Sequence, residues 1–206
     1  MENKRKHTMK NIPDLHLEED LMEQGFKYVI GVDEVGRGSL SGPVVTAAVN
    51  IPDGFDVSKI NDSKKISYKK REELFERITA VCPYVITAAS NKLVDEVNIR
   101  EATKMAMKQA ITDMDSADFV LVDGDFVPDG LTIHSRPVIK GDSISISIAA
   151  ASIVAKVFRD KVMEILHEDY PVYNWKNNKG YGTKEHREAL KLHGPCKYHR
   201  ITFKLL

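Results

Sequence analysis

Apolar positions fall in short runs separated by polar turns, with stretches at helical spacing between them. Tyr28 to Val32 is an apolar run that stops at two adjacent acids, Asp33 and Glu34, and a second apolar run spans Val44 to Ile51. Together they predict two antiparallel strands joined by a glycine-rich turn. Leu15 to Gln24, with spaced leucines before Gly25, predicts a short helix. Ser67 is placed to cap a helix running to about Val81 that buries Leu74, Phe75 and Ile78. Tyr84–Ala89 predicts a strand and Asn91–Val97 a short helix. Ile99–Asp113 predicts a longer helix with Ala102, Met105, Ala106 and Gln109 on one face.

Two more apolar runs end in acids, Phe119 to Asp123 and Pro137 to Asp142. A long helix from Ser143 to His167 follows, with Ile144, Ile148, Ala151, Ala155, Phe158 and Val162 as its stripe and Asp142 at its N-cap. Lys184–Leu192 predicts a last helix stopped by Gly194-Pro195, before a tail from Tyr198 to Leu206. Residues 1–14 are polar and predict a flexible N-terminal tail; residues 15–206 predict one α/β domain, with a helical part from about 170 to 206.

Composition narrows the class. With 42% hydrophobic and 29% charged residues, the 206-residue chain has the make-up of a soluble globular protein. No apolar run is long enough to span a bilayer, and no apolar signal core follows the basic N-terminus, so the expected residence is the cytoplasm. Cys82 and Cys196 lack metal-type spacing and predict neither a zinc site nor a disulfide framework. The net charge is zero but uneven. Lys59–Arg71 holds six basic residues and one acid, and Lys176–Leu206 eight and two. Such clusters form either a basic footprint for a polyanion or solvated helix faces.

Candidate chemistry centres on Asp33-Glu-Val-Gly-Arg-Gly-Ser-Leu-Ser-Gly42. Its glycines read G-x-G-x-x-x-G, one residue too long for a dinucleotide fingerprint, and no Gly-Lys-Ser/Thr follows to make a P-loop. A hairpin with solvated acids accounts for the stretch taken alone. Taken with Asp123 and Asp142, it places four carboxylates at the ends of apolar runs. Four such acids meeting at one edge of a sheet repel one another unless a cation is present. Oxygen ligands without His or Cys favour Mg²⁺ or Mn²⁺, and four carboxylates can hold two such ions for phosphodiester hydrolysis. Because neighbouring side chains on a strand face opposite ways, Glu34 joins Asp33 only if the strand breaks there toward Gly36.

Gly31-Val-Asp-Glu-Val-Gly-Arg-Gly38 with Gly42-Pro-Val-Val45 resembles the signature of the ribonuclease HII family. The resemblance continues through Asp62-Ser-Lys-Lys65, Val122-Asp-Gly124, Lys140-Gly-Asp142, Ser147-Ile-Ala-Ala-Ala-Ser-Ile153, Lys179-Gly-Tyr-Gly-Thr183 and His199-Arg200. It implies a ribonuclease H-like mixed sheet flanked by helices, with a C-terminal helical extension. It also implies Mg²⁺- or Mn²⁺-dependent cleavage of the RNA strand of RNA·DNA hybrids and nicking 5′ of single ribonucleotides in duplex DNA. Asp33, Glu34, Asp123 and Asp142 match the family's catalytic and metal-binding acids. Gly36, Arg37 and Gly38 match the loop that senses the ribose 2′-OH, and Tyr181 the tyrosine that stacks at the RNA–DNA junction. Lys64 is the expected phosphate contact, and the protein is expected to act as a monomer on nucleic acid.

The family usually carries Asn at Asp125, Pro at Ser39 and His at Asn178. Asp125 is thus a rival of Asp123 for the metal, while the other two changes read as loop variation. Asp160, beside Arg159 and about five turns along the long helix from Asp142, reads as structural. The rival readings are a ribonuclease HIII-like hybrid nuclease, a relative that binds nucleic acid without cutting, and another ribonuclease H-like nuclease such as a resolvase or integrase.

Overall fold

The computed structural model describes residues 12–206. Helix α1 (His16–Glu23) leads into β1 (Val29–Val35) and β2 (Val44–Asn50), followed by α2 (Tyr68–Val81), β3 (Tyr84–Ala89), α3 (Asn91–Val97) and α4 (Ile99–Thr112). Then come β4 (Phe119–Asp123), β5 (His134–Val138), α5 (Ile146–Asp169), α6 (Trp175–Asn178) and α7 (Lys184–His193). The five strands form one mixed sheet in the order β3-β2-β1-β4-β5. The β3-β2-β1 half is antiparallel and the β1-β4-β5 half parallel.

Strand alternation assigns the two faces. Val45, Ala47 and Val49 of β2 pack with Leu74 and Ile78 of α2 and Ala149 and Ile153 of α5. Ile30 and Val32 of β1, Ala48 of β2 and Val120 and Val122 of β4 pack on the other face with Met107, Ala110 and Ile111 of α4. At roughly 1.5–3 kcal/mol per buried large aliphatic side chain, these two layers are the main stabilisation of the sheet. The helix α5 rests directly on β1: a Cβ on Gly31 would lie 2.2 Å from Ile148 N, so only glycine admits the helix this close.

Several expected details differ. The long helix begins at Ile146, and Ser145 caps it, its hydroxyl accepting from Ile148 N. Asp142 lies instead in a 3₁₀ turn, Gly141–Ser143, four residues past the end of β5. A single stripe on α5 gives way to a nearly continuous buried stretch, Ile146 to Ala155, because its first half is sandwiched between the sheet and α2; Phe158 is exposed. On α4 the buried face holds Ala102, Thr103, Ala106, Met107, Ala110 and Ile111, leaving Met105 and Gln109 outside. Residues 1–11 of the expected tail lie outside the described residues. Asp14, at its end, is pinned: its N–H donates to Ile144 O at 3.1 Å, and its carbonyl accepts from Ile146 N at 3.1 Å.

Candidate active site

The β1–β4 pairing ends at Val32 and Val122, while β1 runs on beside β2 to Val35. The sheet therefore opens between the two parallel strands just where Asp33, Glu34 and Asp123 occur. Alternation puts Asp33 and Asp123 on the α5 face, and Asp142 reaches the same place from the 3₁₀ turn. The strand runs through Glu34, which stays paired opposite Thr46, and ends at Val35, next to Gly36. The charge of Glu34 and that of Asp123 nevertheless act on each other.

Burial and mutual repulsion dominate the electrostatics. Asp33 is held well above the ordinary carboxylate range, first by burial and then by the charges of Glu34 and Asp123, against hydrogen bonds from Ser152 and Glu34 N. Glu34 is raised by burial, opposed by Arg37, whose Nη1 lies 3.3 Å from Glu34 Oε1. Asp123 is raised by burial and by Asp142; the Gly141 N–H donates to Asp123 Oδ1 at 2.6 Å and works the other way. Lys64 supplies the nearest cation, its Nζ 3.1 Å from Asp142 Oδ2. Burial alone would depress this lysine, but the hydrogen bond and charge of Asp142, with Asp33 and Asp62, outweigh it and raise its pKa. Lys64 thus sits on an acid of the cluster, where the sequence places it in a free loop. Among the described residues, no three His, Cys, Asp or Glu side chains are gathered closely enough to cage a metal ion as they stand.

Asp125 lies beyond the end of the strand that carries Asp123. Strand β4 stops at Asp123, Gly124 turns the chain at φ +102°, and Asp125 is exposed. Asp160 pairs with Lys156 at 2.7 Å.

Beside the acids lie the two glycine-bearing loops. Ser39 and Tyr181 form a β-bridge, and Leu40 N donates to Gly180 O at 2.8 Å, so Gly36-Arg37-Gly38 and Tyr181 are held in one unit. Tyr181 is half-buried, its ring over the Arg159 guanidinium with Cζ 5.4 Å from the ring centroid, rather than on a free loop. Gly36 adopts φ +95°, and a Cβ there would meet Arg159 Nε at 2.2 Å; Gly38 has open space around it. The two departures read as loop variation are structural contacts. Ser39 Oγ accepts from Arg159 Nη2 at 2.7 Å, and Asn178 Oδ1 accepts from Gly180 N at 2.8 Å.

The C-terminal segment is a support, not a loose tail. The Arg200 Nη1 donates to Arg37 O, and its Nε and Nη2 both donate to Gly42 O. His186 Nδ1 meets Tyr181 O at 3.0 Å, and its Nε2 meets Trp175 Nε1 at 3.2 Å and His199 Nε2 at 3.1 Å. Cys196 N donates to His199 Nδ1, so neutral His199 carries its proton on Nε2 and gives it to His186. Burial pushes His199 down to about 4. Sequence reasoning does not single out Arg159 and Arg200 as supports of these loops, because their acceptors are mostly backbone carbonyls distant in sequence, nor His186, whose partners Trp175 and His199 meet it only through the fold of the C-terminal segment.

A family model described as ribonuclease HII matches residues 30–206. The chain belongs to the ribonuclease HII family. These are hydrolases acting as endonucleases on the RNA of RNA·DNA hybrids. The chain is 47% identical over 192 residues to ribonuclease HII of Syntrophus aciditrophicus, covering 92% of this chain and 90% of that one. It is 50% identical over 193 residues to that of Wolbachia pipientis subsp. Culex pipiens, covering 93% and 95%. Among solved structures, it is similar to one of the PCNA:RNase HII complex from Archaeoglobus fulgidus, with TM-score 0.75 and 28% identity over 87% of this chain and 96% of that one. The family assignment sets aside the ribonuclease HIII and resolvase-type readings.

Proposed function

We propose that this chain hydrolyses the RNA strand of hybrids and also nicks duplex DNA on the 5′ side of a single embedded ribonucleotide, with Asp33, Glu34, Asp123 and Asp142 as its reaction centre. The observation carrying this reading is the gathering of mutually repelling acids at the open strand edge, next to a loop unit that presents Gly38 and Tyr181. An oxygen-only donor set in which burial and neighbouring acids raise the pKa values of Asp33, Glu34 and Asp123 fits a hard divalent cation, and Lys64 already offers a positive group beside Asp142. The four acids would hold Mg²⁺ or Mn²⁺. When bound, two such ions supply an activated water and stabilise the leaving oxygen of the phosphodiester.

The chain's own residues then select and orient the substrate. Gly38 has no side chain and open space beside it, so its backbone can approach a ribose 2′-OH, the group that separates RNA from DNA. Arg37 is exposed next to Glu34 and is placed to grip a neighbouring phosphate. The ring of Tyr181 offers a face to a sugar or base at the RNA–DNA junction, and Lys64 contacts a phosphate. The reading takes residues 15–206 of a single chain as the catalytic unit. Two unpaired cysteines fit the reducing cytoplasm, and no helix among the described residues is long and apolar enough to cross a membrane.

Mapping the products of end-labelled duplexes tests the reading. One nick 5′ of the lone ribonucleotide, leaving a 3′-OH and a 5′-phosphate, is expected. Equal cutting of all-DNA duplex, or no cut at the lone ribonucleotide while hybrids are cut, would sink it.

A further inference from the structure

Arg159 lies fully buried in the seam between the two loops and hydrogen-bonds both. Its Nε donates to Pro43 O at 2.9 Å, and its Nη2 to Ser39 Oγ at 2.7 Å and Ser41 O at 3.2 Å, all in the β1–β2 loop. Its Nη1 donates to Lys179 O at 2.9 Å, in the loop that carries Tyr181. The Tyr181 ring covers the guanidinium. Both loops are packed to backbone contact around this one side chain. A Cβ on Gly36 would meet Arg159 Nε at 2.2 Å, and one on Gly180 would meet Ser41 Oγ at 2.7 Å and Ser39 Oγ at 2.8 Å. The base of the brace is α5, the helix seated on β1 at Gly31. The acids and the two loops thus share one rigid support.

We propose that Arg159 is the positioning residue that sets Gly36–Gly38 relative to Tyr181, and that it thereby governs selectivity for a lone ribonucleotide. The proposal rests on the reading of these two loops as the ones that contact substrate. The chemistry asks for arginine: a planar fork reaches acceptors on two separate segments at once, whereas a lysine presents its donors from one nitrogen. The selectivity follows from what each substrate offers. A lone ribonucleotide has one 2′-OH flanked by DNA, so the two loops must meet one nucleotide step together. A continuous RNA strand has a 2′-OH at every step and tolerates a small change in their separation. His186 also holds the tyrosine loop, through Tyr181 O at 3.0 Å, so loosening Arg159 misaligns the loops without releasing the tyrosine loop altogether.

The test compares kcat/KM on a duplex with one embedded ribonucleotide and on a continuous RNA·DNA hybrid, for wild type, R159K, R159M and S39A, with melting curves for each. S39A removes one acceptor and keeps the guanidinium, so it carries the test if R159M does not fold. R159K should lower kcat/KM on the embedded ribonucleotide by about tenfold to a hundredfold, the cost of a misplacement near 1 Å, and on the hybrid by less than about threefold. S39A should shift the ratio the same way by less. In a Y181A background, R159K should add little further loss, because both changes act on one contact. Equal loss on both substrates in step with falling stability, or an unchanged ratio in R159K and S39A, would overturn the proposal and leave Arg159 a packing residue. Wild type failing at the lone ribonucleotide, or Y181A cutting both substrates normally, would instead overturn the reading of the loops, and the proposal with it.

Discussion

The acidic edge of the sheet and the braced loops beside it handle buried charge in opposite ways. At the edge, Asp33, Glu34 and Asp123 are buried together and push one another's pKa values up, with Lys64 and Arg37 as exposed and incomplete compensation. Under the loops, Arg159 and Arg200 are buried just as deeply, yet their hydrogen bonds run to carbonyls and to Ser39 Oγ. Burial, and then the charge of Arg159, depresses Arg200 to about 9, which still leaves it charged at neutral pH. A buried charge with its hydrogen bonds made fixes geometry; a buried charge left in conflict waits for a counterion. On the proposed function, the acidic edge is the centre for cations and chemistry and the braced loops are the reader.

The sharpest break between them is a substitution that removes charge from the edge alone. Asp123→Asn should reduce Mg²⁺-dependent cleavage by on the order of 10³-fold, the scale of losing a group that stabilises the transition state. Its melting temperature in the absence of metal should hold or rise, since like-charge crowding is relieved. Asp125→Asn should keep most activity. A dead Asp125→Asn beside an active Asp123→Asn would exchange their roles.

Glycine substitutions separate the regions next. Gly36→Ala forces a side chain into a left-handed conformation against Arg159 and should cost about 1–3 kcal/mol. Gly38→Ala meets no protein atom and should melt like wild type while losing activity on a lone ribonucleotide. If Gly38→Ala melts early, its backbone is serving the fold and not the substrate.

The pH dependence of stability has opposite signs in the two regions. A folded-state pKa raised by burial, as for Asp33, Glu34 and Asp123, favours the protonated form. These groups therefore contribute stability at low pH that is lost as pH rises from the unfolded carboxylate range through their folded values. His199 is depressed from 6.5 to about 4, so its contribution is present above 6.5 and is lost as pH falls to about 4, roughly 3 kcal/mol over the window. His199→Gln should flatten the fall in melting temperature on acidification, and Asp123→Asn should steepen it. Matching profiles for the two variants would show that the regions titrate as one.

The smallest effect is expected at Lys64, whose side chain is 79% exposed despite its contact with Asp142. Lys64→Ala should lower the salt slope of substrate binding by about one unit, and an unchanged slope would return it to the solvated surface.

What the sequence carried well was whatever depends on local pattern. The apolar runs reaching Asp33 and Asp123 and the Ser67 cap stand where period and capping put them, and the long helix follows its apolar stretch, though from Ile146 rather than Ser143. What it carried poorly depends on partners distant in the chain. Asp142 looks like an N-cap by position, but Ser145 satisfies that helix end, freeing Asp142 to face Asp123. Arg159 sits on a helix otherwise read for its apolar stripe, and its acceptors lie 20 to 120 residues away, all of them backbone carbonyls except Ser39 Oγ. Spacing alone puts Met105 inside, whereas tertiary packing turns α4 to bury Met107.

The division of labour itself is tested by titrating Mn²⁺ into wild type, Asp123→Asn, Asp125→Asn and Arg159→Lys without substrate, followed by calorimetry. Wild type, Asp125→Asn and Arg159→Lys should bind alike, and Asp123→Asn should lose most of the affinity. Undiminished binding by Asp123→Asn, or a loss as large in Arg159→Lys, would contradict the separation of a cation-holding edge from a braced reader.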